Sequence, residues 1–197
     1  MAARIAPREF AVATPPYDPR LMIAVLIALP ELLILGGLLA MQRPGHAALA
    51  LQANTHITGI LVVPVATVFA GMILLLLWAV RRRRIVLSDG VLDATATFYR
   101  RRLPVAALDL DKARIVNLDE HREWRPLFKT NGVGLPGLRA GWFRSRGFVK
   151  MFCLLTTRDR VLVLPELAGG VLLLSAERPQ ELLQALRETA GASRAGD

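Results

Sequence analysis

The sequence predicts an α+β membrane protein in which two transmembrane helices precede a mostly β domain that ends in one helix. Three observations support this fold class. Two long apolar runs lie at residues 21–41 and 57–80. Short strand patterns dominate from residue 81 onward, and the apolar period changes to that of a helix near the C-terminus.

Each apolar run is long enough to cross a membrane as a helix, since a helix rises about 1.5 Å per residue and about 20 residues span the hydrocarbon core. A cleaved signal peptide is the alternative for the first run, but its apolar stretch is longer than that of a usual signal segment. We therefore predict a leader over residues 1–20 and a hairpin over residues 21–80. Its helices span 21–41 and 57–80, and its outer loop spans 42–56.

Basic residues near the ends of the runs predict the orientation of this hairpin. The leader carries three arginines and the loop carries one, whereas four arginines directly follow the second run. Both termini are therefore expected on the cytoplasmic side of the membrane, with the short loop outside. The residues expected at the membrane surface are Trp78, Arg81, Arg82, Arg83 and Arg84. The arginines either attract anionic lipid or only fix the topology.

Glu31 lies in the middle of the first run, where a carboxyl group is costly unless it has a partner. In an antiparallel hairpin Glu31 is level with Thr67, so a protonated Glu31 is expected to donate a hydrogen bond to Thr67 or to a backbone carbonyl. One interpretation is that Glu31 holds two helices together through this hydrogen bond, and the other is that Glu31 is a proton or ion site. Because the two spans contain a single carboxylate, the first interpretation is favoured.

Residues 81–189 are predicted to form one small cytoplasmic domain of about seven strands, and residues 190–197 a disordered tail. The alternation of apolar and polar residues from 92 to 99, after the Asp89-Gly90 turn signal, predicts a half-buried strand. Further strands are predicted over 85–87, 114–118, 141–148, 151–156, 160–164 and 170–175. An apolar stripe at helical spacing predicts an amphipathic helix over 179–189.

Four segments resemble the pleckstrin-homology-like (PH-like) domains of bacterial proteins in which a pair of transmembrane helices precedes the domain. The segments are IVLSDGVLDATATFYRRRLPVAALD, TNGVGLPGLRAGWFRSRG, LLTTRDRVLVLPELAGGVLLLS and ERPQELLQALRE. The resemblance implies an antiparallel sheet of about seven strands that curls into a barrel, with the C-terminal helix closing one end. The resemblance implies a module that binds a partner more than an enzyme that catalyses a reaction. Phosphoinositide-binding members use basic residues between the first two strands, where this chain has Ser88-Asp89-Gly90, so head-group recognition there is not expected.

The stretch GVGLPG at residues 132–137 matches the G-x-G-x-x-G spacing that holds a pyrophosphate in dinucleotide-binding folds. That fingerprint needs a preceding strand and a helix that begins within it. Here a polar stretch ending in Pro126 precedes the motif, and Pro136 interrupts it. A nucleotide-dependent enzyme is therefore the weakest interpretation, and the glycines instead predict a loop close to the sheet.

The residues after this motif combine aromatic and basic side chains. Adjacent strand residues point to opposite faces, so one of Trp142 and Phe143 is expected in the core and the other at the surface. An exposed aromatic beside Arg139, Arg144 and Arg146 is a suitable contact for a membrane surface or a partner protein. These five residues are the predicted contact site.

No arrangement of residues predicts catalysis, and no cofactor or metal is expected. The histidines have no partners at metal-binding spacing, and the single cysteine, Cys153, lies in an apolar run that suits core packing. The net charge of +9 suits nucleic acid, but no nucleic-acid-binding motif accompanies it, so no nucleic acid is expected as a partner.

The predicted function is that of a membrane-anchored scaffolding or binding module on the cytoplasmic face. Its expected targets are a protein partner, a second copy of the chain in a homo-oligomer, or anionic membrane lipids. The alternative is an accessory subunit of a larger inner-membrane complex, recognised through its transmembrane hairpin.

Overall fold

The computed structural model describes residues 7–16, 18 and 81–194, together with residues 21, 25, 29, 32, 67–75 and 77–78 of the two apolar runs. The chain divides into two compact units. One unit combines Met1–Pro19 with Arg81–Asp197, and the other is Arg20–Val80. We call the first unit the β domain, because it contains every strand described below.

The predicted transmembrane hairpin is wrong in the part of the chain that the structure describes. There, no helix is both long and apolar enough to cross a membrane. The predicted fold class and the multi-pass inner-membrane location are corrected accordingly. The prediction depended on hydropathy, which shows that a segment is apolar but not that it forms one continuous helix. Glu31 and the loop over 42–56 lie outside the described residues, and so does the predicted pairing of Glu31 with Thr67.

In its described residues, the β domain contains two open sheets and one C-terminal α-helix, not a single closed sheet of about seven strands. The first sheet has the order β1 (Arg8–Phe10), β2 (Arg83–Ser88), β3 (Val91–Ala96), β4 (Tyr99–Pro104). The strands of the second sheet are β5 (Arg114–Val116), β6 (Phe128–Leu135), β7 (Leu138–Arg144), β8 (Lys150–Leu155), β9 (Val161–Pro165) and β10 (Val171–Leu174). Their order in space is β5-β9-β10-β8-β7-β6. Paired strands are antiparallel except β8 and β10, which are parallel.

The strands β8, β9 and β10 of the six-stranded sheet are largely buried on both faces, which explains their continuous apolar runs. On one face, Met151 and Cys153 belong to a core that is packed against Trp124. The other members of that core are Val116, Leu118, Phe143, Leu155, Val161, Val163, Val171 and Leu173. The opposite face carries Phe152 and Leu154, because successive strand residues alternate. This face is turned toward the first sheet, since β3 contacts β8 and β4 contacts β7.

The N-terminal leader forms part of the β domain, which the sequence did not predict. β1 pairs antiparallel with β2. Further along, the Thr156 hydroxyl donates a 2.6 Å hydrogen bond to the carbonyl of Ala13. Glu9 accepts two hydrogen bonds of 2.7 Å from the Arg84 guanidinium. Three residues are too few for a recognisable period of two, so β1 gives no clear sequence signal.

Two element boundaries differ from the sequence prediction. β3 ends at Ala96, and a turn through Thr97, with φ of +62°, leads into β4. Phe98 is therefore 54% exposed and does not continue the buried face of β3. The C-terminal helix spans Pro179–Arg194 and so continues beyond Thr189, which corrects the predicted disordered tail to helix over residues 190–194.

Candidate partner-binding surface

The glycine motif of residues 132–137 forms a β-hairpin rather than a loop at the start of a helix. Its first four residues belong to β6, and Leu135 pairs with Leu138 across a turn made by Pro136 and Gly137. The φ of Gly137 is +75°, a conformation that favours glycine. The strand–turn–helix context of a nucleotide site is therefore not present at this motif. The expected loop is corrected to strand β6 and its turn.

Glycine is also required at position 141, because three segments of the chain approach each other closely there. Gly141, on β7, has φ of +109° and pairs with Gly132 on β6. A Cβ atom on Gly141 would lie 2.7 Å from the carbonyl oxygen of Asn131 and 2.8 Å from a ring carbon of Tyr99. The Tyr99 hydroxyl donates a 2.8 Å hydrogen bond to the Asn131 side chain. These glycines serve strand packing, so they need no nucleotide to explain them.

The predicted contact site is divided between the two faces of β7. Phe143 is 4% exposed and belongs to the core. Arg139 lies on the same face and is partly buried, and it donates a 2.7 Å hydrogen bond to a backbone carbonyl. Burial lowers the pKa of this guanidinium from its usual value, and nearby Arg158 contributes in the same direction.

Trp142 and Arg144 lie on the opposite face of β7, while Arg146 is exposed in the turn between β7 and β8. Of the five predicted contact residues, these three are available to a partner.

Trp142 is partly exposed and lies under two cations. The guanidinium carbon of Arg101 is 5.2 Å from the centre of its ring, and the Lys150 ammonium is 4.4 Å away. Each such contact contributes about 0.5–1 kcal/mol at an exposed site. The Trp142 ring also meets the buried Phe152 at 74°, with ring centres 5.3 Å apart. The indole therefore joins the core to a basic surface.

An exposed aromatic pair lies beside this basic surface. Phe128, the first residue of β6, stacks on Phe148 in the turn between β7 and β8, with ring centres 5.7 Å apart and planes within 4°. Phe128 is 52% exposed and Phe148 66%. Their neighbours Leu127 and Val149 are exposed as well. Contiguous exposed apolar groups of this kind mark sites of interaction.

Phe148 has an unusual backbone conformation for a bulky side chain. Its φ is +59°, a region that costs a non-glycine residue about 1 kcal/mol or more. The buried residue Ser145 holds the turn, because its carbonyl accepts the Phe148 N–H at 3.0 Å and its hydroxyl accepts the Val149 N–H at 3.3 Å. The turn thus presents a large apolar side chain to solvent at a position that glycine would occupy more easily.

The basic residues around this pair are mostly unpaired. The stretch from 125 to 150 contains no Asp or Glu and six basic residues, namely Arg125, Lys129, Arg139, Arg144, Arg146 and Lys150. Lys129, Arg144 and Arg146 form no ion pair with any residue that the structure describes. Their charge is therefore available to an external group.

Strand register brings several of these residues together. Phe128 pairs with Arg144, and Arg144 pairs with Lys150, so the three side chains lie in one row across β6, β7 and β8. We define the aromatic–basic face as Phe128, Trp142, Arg144, Arg146, Phe148 and Lys150.

Sequence reasoning found half of this face. It identified Trp142, Arg144 and Arg146 from their proximity along the chain. It missed Phe128 because β6 was not predicted, Phe148 because it was assigned to a strand, and Lys150 because it lies between two predicted strands. The absence of any acid between residues 125 and 150 is a signal that would have drawn attention to the whole region.

The arginines expected at a membrane surface are placed differently by the structure. Arg83 and Arg84 belong to β2, and Arg84 forms an ion pair with Glu9 within the β domain. Arg81 and Arg82 are exposed and precede β2. Trp78 is 50% exposed and belongs to the other unit, Arg20–Val80.

Groups with catalytic potential are scarce near this surface. Within the described ranges, no cluster of three or more His, Cys, Asp or Glu residues could hold a metal ion. Cys153 is fully buried, and burial raises the pKa of its thiol. A thiol in that environment is inert as a nucleophile and serves packing.

Comparisons with known proteins gave no match to a protein-family model, a curated protein or a solved structure. They therefore lend no support to the PH-like resemblance. The function of the surface has to be inferred from its own chemistry.

Proposed function

We propose that the β domain is a protein-binding module whose aromatic–basic face contacts an acidic partner. The observation that carries this proposal is the exposed Phe128–Phe148 stack beside Arg144 and Arg146, which form no ion pair with any described residue. Aromatic residues and arginine are enriched in the energetically dominant parts of protein interfaces. Phe148 is exposed and its backbone is strained, so its stack with Phe128 gives folding little net benefit, which favours a role in binding.

The arrangement of the rings favours protein over nucleic acid. Single-stranded nucleic acid is bound by bases that stack on open aromatic faces. Here Phe128 and Phe148 stack on each other, and two cations already lie over the Trp142 ring. Fewer ring faces are therefore open to a base, which favours apolar side chains of a protein as the contact.

The position of the pair favours protein over lipid as well. Phe128 begins β6, which is the last strand of its sheet. Half of the backbone N–H and C=O groups of an edge strand point away from the sheet. Such groups are costly to bury in hydrocarbon, where nothing satisfies them, whereas a protein partner offers hydrogen bonds.

The proposal is tested by cross-linking the full-length protein in cells and comparing variants. In one variant, Arg144→Glu and Arg146→Glu reverse the charge of the face. In a second, Phe128→Ser and Phe148→Ser remove its apolar part. The matched control is Arg122→Glu with Arg187→Glu, which makes the same charge change at two exposed arginines elsewhere. We expect a partner rich in Asp and Glu that is lost in both test variants and kept in the control.

Two results would contradict the proposal. The first is a partner that cross-links equally to all variants, since its contact then lies elsewhere. The second is cross-linking to lipid or to other copies of the chain alone. Thermal unfolding of each variant shows whether a lost cross-link reflects binding or misfolding.

A further inference from the structure

β6 is an exposed edge strand, and it is long for an edge with little protection. Among the residues that the structure describes, it has a sheet neighbour, β7, on one side only. It extends over eight residues, and five of them, including the first four, are exposed. These exposed residues leave the edge accessible to a partner strand.

The other three sheet edges carry features that discourage pairing. β1 and β5 have three residues each. β4 carries three consecutive arginines and ends at Pro104. Short edges, charged side chains and proline are the usual means of protecting an edge. β6 has no proline, so its protection is limited to one charged residue, Lys129, and a register shift between Lys129 and Asn131.

The charge around β6 distinguishes between possible occupants. The hairpin of β6 and β7 and the turn that follows carry no acid between residues 125 and 150. Two copies of the chain that paired through β6 would bring two such regions together, and like charges across a strand pair are destabilising. An acidic segment has the opposite charge and is attracted to the same edge.

We propose that an extended acidic segment of a partner protein adds to β6 as a further strand of the six-stranded sheet. The register shift confines continuous pairing to the part of β6 from Asn131 to Leu135. Beyond it, an apolar residue of the segment contacts the Phe128–Phe148 stack, and its acids lie near Arg144 and Arg146. In such recognition, main-chain hydrogen bonds supply affinity and alternate side chains supply specificity. This inference deepens the proposed function and rests on it.

The first step of the test selects ligands with a random decapeptide library displayed on phage, using the purified full-length protein as bait. We expect enriched sequences in which acids alternate with apolar residues. The selected peptide is then synthesised, and amide hydrogen exchange of the protein is measured with and without it. Protection is expected in β6, whereas β5, an edge on the opposite side of the sheet, remains unchanged.

The second step separates strand addition from contacts made by side chains alone. The selected peptide is made in two versions, N-methylated at alternate residues in opposite phase. Only one edge of the added strand faces β6, so one version is expected to bind about tenfold or more weakly while the other keeps its affinity. The two versions have identical side chains and charge, so each is the control for the other.

Several results would overturn the inference. Equal affinity of the two methylated peptides, or a library that yields no acidic sequence, excludes strand addition by an acidic segment. Protection of β6 that rises with protein concentration alone identifies a second copy as the occupant. Protection by phosphatidylglycerol vesicles identifies lipid. The cross-linking experiment on the Arg144 and Phe128 variants is separate, so a protein-binding face without strand addition is recognisable as such.

Discussion

The arginines of β4 and those at the end of β7 illustrate two uses of the same residue type. Two of the β4 arginines bind Asp93, and the third binds Glu166 through a 2.8 Å ion pair. Both carboxylates are largely buried. Arg144 and Arg146, in contrast, are exposed and have no acid near them along the chain. Pairing therefore distinguishes structural charge from charge that is available for binding, whereas the count of arginines does not.

The largest loss of stability is expected from Asp93→Ala, which removes the acid that two of the β4 arginines bind. The Asp93 side chain is 11% exposed and accepts hydrogen bonds from Arg100 and from Arg102 Nε at 3.0 Å. Its loss leaves two guanidinium groups close together without a counter-charge. We expect the free energy of unfolding to fall by about 2–3 kcal/mol, measured by urea denaturation. Asp111→Ala, which removes an exposed acid, is the control, and an equal loss in both variants would show that Asp93 has no special role.

Part of the stability that is lost in Asp93→Ala is expected to depend on pH. The hydrogen bond from Arg100 is the main cause that lowers the pKa of Asp93 in the folded state, and the charges of Arg100 and Arg102 act in the same direction. The folded pKa is thus below the unfolded one, so the stabilisation is complete above the unfolded pKa of about 3.9 and is lost as pH falls through the folded pKa. The stability difference between the wild type and Asp93→Ala should narrow from pH 5 to pH 2. A constant difference would mean that the carboxylate charge is not responsible.

Sequence reasoning succeeded where periodicity is strong and local. β3, β8, β9, β10 and the C-terminal helix were predicted because alternation, continuous apolar runs or a helical stripe marks each of them. Sheet order was not accessible, since the parallel pairing of β8 with β10 depends on distant contacts. β6 was missed because Gly132 and Gly134 interrupt its pattern. The stack of Phe128 on Phe148 joins residues that are far apart in sequence, which explains why only the local half of the binding face was found.

A smaller effect is expected from Phe148→Gly, which tests whether the binding face is strained. Glycine adopts the φ of +59° without steric cost, but it also gains freedom in the unfolded chain and loses the stack with Phe128. These contributions nearly cancel, so the free energy of unfolding should change by less than about 1 kcal/mol. Binding of the partner should weaken at the same time. A loss of several kcal/mol on thermal or urea unfolding would instead assign Phe148 to the folding core.

The smallest effect on stability is expected from the double variant Arg144→Ala and Arg146→Ala. Because neither side chain has an ion-pair partner among the described residues, the free energy of unfolding should stay within about 0.5 kcal/mol of the wild type. Removing like charges from an acid-free region also relieves repulsion, which acts to raise stability slightly. Urea denaturation at low and at high salt separates these cases, because salt screens repulsion between exposed charges. A loss comparable to that of Asp93→Ala would erase the distinction between the two groups of arginines. An unchanged stability with lost partner binding would instead establish that the charge of this face is retained for recognition, at a site where folding does not require it.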